Sequence, residues 1–124
     1  MTKFATTTEK LIAFLVLGIV EAISKEKFST DDSENLVFLP KYLEELKKLK
    51  TDVNLVSLVQ LGTELNDIET LAPWTLTKTL EKMKMLALCV IEKKGQVMQL
   101  GEWFDEIREL TGSDLKFKSR MENI

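Results

Sequence analysis

The chain contains no histidine, and its one cysteine, Cys89, lies within an apolar stretch. Without histidine, the commonest general base and the commonest metal ligand are both missing. Neither a Cys/His nucleophile pair nor a zinc cluster can be assembled from the rest. One cysteine cannot close an intramolecular disulfide, so a reducing cytoplasm is the expected setting. Only five Gly and two Pro occur in 124 residues, so few connections turn sharply, and long helices are favoured over many strands. The glycine patterns that cradle phosphates or dinucleotides are missing, as are C-x-x-C and H-E-x-x-H. These gaps exclude most catalytic chemistry, and the expectation is a binding protein with no catalytic residue, no cofactor and no metal.

Hydrophobic residues make up 44% and charged residues 30%, ordinary proportions for a soluble globular protein. Leu, Lys, Glu and Met, all good helix formers, dominate. The length fits one domain over 1–124, with 113–124 a partly ordered tail, and buries roughly two thirds of the unfolded surface. A net charge of −3 and a pI near 5.1 argue against a broad basic face for nucleic acid and point to a basic protein partner. Leu11 to Val20 is an unbroken apolar run after Lys3 and Lys10. It is short of the about 20 apolar residues that span a bilayer, and Glu9 and Glu21 do not suit a signal peptide. It is therefore read as a buried core helix.

Local signals divide the chain into helices. Thr6 and Glu9 form a possible capping box opening a helix that runs to about Lys25. That helix is apolar almost all round, as a central element would be, with Gly18 placed for the close approach of a neighbour. Ser29, backed by Asp31 and Asp32, caps a second helix, and Pro40 suits the first position of a third. Leu39, Leu43, Leu46 and Leu49 share its apolar stripe. Thr51 and Asp52 cap a fourth, which Gly62 is expected to end, while Leu65, Ile68 and Leu71 point inward from a further short turn. Pro73 begins the second long helix, with Leu76, Leu80, Met83, Ala87, Val90 and Ile91 in helical register and Met85, Leu86, Leu88 and Cys89 widening its buried side. Lys93, Lys94 and Gly95 form its C-terminus, with Gly95 as a left-handed cap. Val97 to Leu100 is a brief extended segment, and a last helix runs from Gly101 to about Leu110. The expected architecture is all-α: an irregular single-domain bundle of two long buried helices and several short ones.

Two groups of acidic residues stand out. Glu102, Asp105, Glu106 and Glu109 fall at i, i+3, i+4 and i+7, so four mutually repelling carboxylates share one helical side, with Arg108 the only base in that helix. Trp103 and Phe104 adjoin the stripe, and Trp103 is the expected anchor beside it. Residues 51–77 hold Asp52, Glu64, Asp67 and Glu69 without a single Lys or Arg. Asp52 and Glu64 suit caps and first turns, whereas Asp67 and Glu69 do not. A solvated acidic surface accounts for both groups, as does the docking of a basic partner. Trp74 is read as a core wedge in preference to an exposed anchor. Met83, Met85 and Met98 are read as core filling, and Cys89 as a packed hydrophobe.

The succession Leu15-Val16-Leu17-Gly18-Ile19-Val20-Glu21-Ala22-Ile23, followed by Leu61-Gly62-Thr63-Glu64-Leu65-Asn66-Asp67-Ile68-Glu69 and Leu71, resembles a family of small uncharacterised helical bacterial proteins. It is also similar to the all-helical immunity proteins of contact-dependent growth-inhibition systems. The resemblance runs from about Glu9 to Glu92 and leaves Gly95 to Ile124 unmatched. It implies a cytoplasmic protein that binds and blocks a toxin domain delivered by neighbouring cells, one copy per toxin in a heterodimer. It implies no catalytic residue and no membrane or direct nucleic-acid contact. Acidity then suggests a basic nuclease of the ribonuclease kind, occluded through Glu102, Trp103, Asp105, Glu106, Glu109, Asp67 and Glu69. A helical adaptor or oligomer-forming protein is the alternative.

Overall fold

The computed structural model describes residues 2–111; the tail expected over 113–124 lies outside them. In chain order the elements are α1 (Lys3–Ser24), α2 (Thr30–Leu36), α3 (Pro40–Lys48), α4 (Val53–Leu71), a 3-10 turn (Pro73–Thr75), α5 (Leu76–Glu92) and α6 (Leu100–Thr111). Among the described residues there is no strand, and the protein is all-α. The described residues fall into two compact units: Glu9–Lys94, and residues 2–8 together with 95–111.

In the larger unit, Ala13, Val16 and Val20 of α1, Leu55, Leu58 and Leu65 of α4, and Met83, Ala87 and Val90 of α5 are all buried in one apolar cluster. Each large side chain withdrawn from water contributes about 1.5–3 kcal/mol. Phe38, fully buried between α2 and α3, completes the cluster. The hub is α4, which lies against α5, α2 and α3. Gly62 does not end this helix. A Cβ at Gly62 would overlap the Phe38 ring, so the glycine is there to admit an aromatic side chain in mid-helix. A third long helix is thereby added to the two expected.

Gly18 behaves in the opposite way. Among the described residues no atom lies within 4 Å of where its Cβ would stand, so none of the described helices approaches it. With Phe14 and Leu15 also exposed, α1 is a wall of the bundle and not its centre. The expected inward directions of Leu49, Leu71, Met85 and Leu88 fail similarly, for all four are exposed. An apolar residue on a helix is buried only where a second element covers it, and sequence spacing does not report that. Met83 does fill the core, Met98 is half-buried, and Cys89 is half-buried as a free thiol.

The helix ends follow local chemistry. Ser29 Oγ accepts the Asp32 N–H and caps α2, Pro40 opens α3, and Asp52 caps α4 by accepting the Asn54 N–H at 2.8 Å. At α1 the cap is Thr2, whose Oγ1 accepts the Ala5 N–H, and not Thr6. Glu9, freed of the expected capping box, is buried and accepts the Asp52 N–H at 2.7 Å. Beyond α1 and α3 the chain closes on residues with positive φ, Glu26 (58°) and Lys50 (54°). Each end carries the paired bonds of a Schellman motif: Lys27 N–H to Ala22 O with Glu26 N–H to Ile23 O, and Thr51 N–H to Leu46 O with Lys50 N–H to Lys47 O. Glycine is the usual residue at such a position, and neither end has one. At α5 the chain leaves the helix at Lys93 with φ −55° and ψ 130°, so the left-handed cap expected at Gly95 does not form.

Candidate functional site

In the smaller unit two consecutive threonines near the start of α1, Thr7 and Thr8, hold the segment entering α6 and the helix itself. Thr7 Oγ1 donates to Lys3 O and accepts the Met98 N–H at 2.8 Å. Thr8 Oγ1 donates to Phe4 O and accepts the Trp103 Nε1–H, also at 2.8 Å. The Trp103 ring stacks on Phe4 with centroids 6.4 Å apart, and Phe104 meets it edge-on at 5.4 Å. Trp103 therefore spends its polar handle and one ring side within the unit. It is half-buried, and the aromatic presented to solvent beside the carboxylates is Phe104, 52% exposed.

The α6 stripe is real but uneven. Glu102, Asp105 and Glu109 are exposed, whereas Glu106 is half-buried. Glu102 lies in the first turn, where the helix dipole favours an anion. Asp105 binds the Arg108 guanidinium one turn on. Asp105 and Glu109 are thus the two exposed carboxylates of the stripe that lie beyond the helix's first turn.

Asp67 and Glu69 belong to the last turns of α4, both exposed. No basic residue occurs in the last turn, so Glu69 stands at the negative end of the dipole, where an anion is disfavoured by about 0.3–1 kcal/mol, and Asp67 lies just before that turn. Stability does not explain them. The two point different ways. Asp67 lies one turn before Leu71, an i, i+4 pair on one side of α4, and Leu71 is exposed. The Pro73–Thr75 turn that follows carries Trp74, which is 78% exposed. Glu69 instead lines a groove of about 580 Å³ with Glu26 and Asp32 on its rim, Lys27 beside them, and Phe28, Leu76 and Leu80 among its apolar walls.

Trp74 is the functional candidate that sequence weighting placed wrongly. Among the described residues no element covers the three-residue 3-10 turn that links α4 to α5, and its indole is exposed. The available signal was Trp74 following directly on a stretch of acids with no compensating base. Trp is among the residues enriched at binding hot spots.

The remaining polar cluster is structural. Lys93 Nζ donates to Asp52 Oδ2 at 2.8 Å, with Asp52 only 11% and Lys93 41% exposed. Burial pushes the Asp52 carboxyl up, but the bonds from Lys93 and the Asn54 and Leu55 backbone outweigh it and hold the group below the ordinary carboxylate range. The bond to Asp52 raises the Lys93 ammonium above its ordinary value against partial desolvation, with the charges of Asp52 and Glu9 adding to it. Glu9, Asp52 and Lys93 thereby fasten α1, the start of α4 and the end of α5. Among the described residues no three His, Cys, Asp or Glu side chains gather to hold a metal ion, and no helix is long and apolar enough to cross a membrane.

A family model described as "Protein of unknown function (DUF3969)" matches residues 3–105. The match takes in Phe4, Thr8 and Trp103, and reaches α6 as far as Asp105, well past Glu92 where the sequence resemblance stopped. No curated protein and no solved structure matches the chain significantly.

Proposed function

The chain belongs to that family of proteins of unknown function, and we propose that it is a non-enzymatic immunity protein that binds a basic toxin domain, a nuclease of the ribonuclease kind, and occludes its phosphate-binding cleft. The observation that carries this reading is the setting of exposed carboxylates beside like charge or at a disfavoured helix end. Glu69 opposes the dipole of α4, Asp67 adds like charge one turn before the helix end, and Asp105 and Glu109 crowd like charge along α6 although Asp105 also binds Arg108. A nuclease cleft is positive because it binds phosphate, so acids facing it both steer encounter and replace the substrate's charge. Trp74 and Phe104 supply exposed aromatic area next to these groups in sequence. The test is co-expression with the product of the adjacent reading frame. Rescue of growth and purification of a stoichiometric complex are expected, and a toxic product that is neither neutralised nor bound overturns the proposal.

A second reading, a helical adaptor or self-associating protein, draws on the apolar outer side of α1, where Phe14 and Leu15 are about half exposed, with Leu36 and Tyr42 also open to solvent. Patches of this kind mark interaction surfaces on soluble proteins.

A further inference from the structure

The groove of about 580 Å³ that takes in Glu69 is built from the end of α1 and the turn after it, from α2 and from the start of α5. Its charge is one-sided. Among the described residues, Glu26, Asp32 and Glu69 line it against a single lysine, Lys27. The three carboxylates come from three places in the chain: the turn beyond α1, α2 and α4. Among the described residues none of the three is in an ion pair, whereas Glu21, Glu44, Glu45, Asp52 and Glu81 of the same unit each hold a lysine within 4.0 Å. Asp32 sits in the first turn of α2, where the dipole favours it. The other two stand where the fold disfavours them, Glu69 at the negative end of α4 and Glu26 at a left-handed position (φ 58°) that glycine fills more easily. The walls between these acids are apolar, with Ile23 and Leu80 buried and Phe28 and Leu76 half-buried.

Concavity, acidic rim and apolar walls together fit one class of ligand, a cation carried on an alkyl stem. A bare metal ion makes no use of the apolar walls, a neutral apolar group leaves the carboxylates unmatched, and an anion is repelled. We propose that the groove receives an arginine side chain of the basic partner, with its guanidinium among Glu26, Asp32 and Glu69 and its methylene stem along Phe28 and Leu76. Guanidinium is favoured over ammonium because its five donors serve several carboxylates at once, it is more weakly hydrated, and it stacks on aromatic rings such as Phe28. The volume falls within the about 300–1,000 Å³ of ordinary ligand sites. The partner is that of the immunity reading, on which this inference rests. It adds Glu26 and Asp32 to the acids already assigned, and it lies wholly within the unit Glu9–Lys94.

The experiment is titration of the isotope-labelled full chain with Nα-acetyl-L-argininamide at low salt, followed through the backbone amide shifts. Saturable shifts are expected over 24–32, at 69 and over 76–80, and not over 102–109. The citrulline analogue, which keeps the stem and lacks the charge, and the guanidinium ion, which keeps the charge and lacks the stem, are both expected to bind more weakly. Glu69→Gln combined with Asp32→Asn should weaken argininamide binding roughly fourfold or more, and Glu26→Gly about two- to fivefold, the effects of exposed ion pairs. Glu26→Gly should do so while raising the melting temperature, a combination that a purely structural Glu26 would not give. Shifts that are absent, spread evenly over the acids of α6, or equal for the citrulline analogue overturn the proposal. Preferential binding of spermidine overturns it too, by assigning the groove to a free polyamine. A toxin bound equally well by wild type and by the Glu69→Gln, Asp32→Asn protein removes this inference and leaves the immunity reading. Argininamide binding as described, with no toxin bound, supports the groove and removes only the immunity reading.

Discussion

Gly62 and Gly18 both stand in mid-helix, and one added methyl group is expected to move stability in opposite directions at the two sites. At Gly62 the new carbon meets the fully buried Phe38 ring. Overpacking of this kind costs about 1–3 kcal/mol, only partly offset by the better helix propensity of alanine. Gly62→Ala should therefore lose on the order of 1–2 kcal/mol by urea unfolding, against overpacking and propensity terms of that size. Gly18→Ala, measured dilute, should gain up to about 1 kcal/mol. Equal signs would contradict the packing described. The left-handed residues Glu26 and Lys50 give a second pair. Glu26→Gly and Lys50→Gly should each raise stability by about 0.5–1 kcal/mol, since the left-handed conformation is strained for a residue with a Cβ; a lowered midpoint in both would deny the strain. Ser29, Pro40 and Asp52 were readable from sequence because a cap is satisfied within three residues. Gly18, Gly62 and Trp74 were not, because their surroundings come from elements distant in the chain or from none.

The fastening of α4 and α5 makes a prediction about pH. Asp52 titrates below its ordinary value in the folded protein, so its contribution is fully present above about pH 4 and is lost as pH falls through the folded value. Lys93 titrates above its ordinary value, so its contribution is fully present below about pH 10.5 and is lost as pH rises through the folded value. Lys93→Met should then cost about 0.5–1 kcal/mol, a small figure because Lys93 is well solvated. The difference from wild type should be level from pH 5 to 9 and shrink outside that range. A difference that changes steadily across pH 5 to 9 would mean the pair is not the cause. Most helix starts were readable because apolar period and caps are local signals. The continuity of α4 was hidden, since Gly62 carries the mark of a terminator and its real purpose is Phe38. The stripe on α6 was visible as spacing alone, but the internal use of Trp103 depends on Thr8 and Phe4, and sequence spacing reports neither partner.

For the molecule as a partner of something else, the exposed groups divide by what they do for the fold. Trp74 packs against little, so Trp74→Ala should leave thermal stability within about 0.5 kcal/mol of wild type, as surface changes usually do. The same change should weaken toxin binding at least tenfold; a large loss of stability instead would show the indole to be structural. Family membership places α1 through the first half of α6 in one shared pattern, while the toxin reading rests on charge and exposure in this chain. The most direct test is the association rate with the adjacent reading frame's toxin domain, measured by stopped flow at low and high salt for wild type and for Asp105→Lys combined with Glu109→Lys. The account predicts a fast wild-type rate that falls steeply with salt, and a variant rate at least tenfold slower with little salt dependence. Equal rates and equal salt slopes for the two proteins would contradict it.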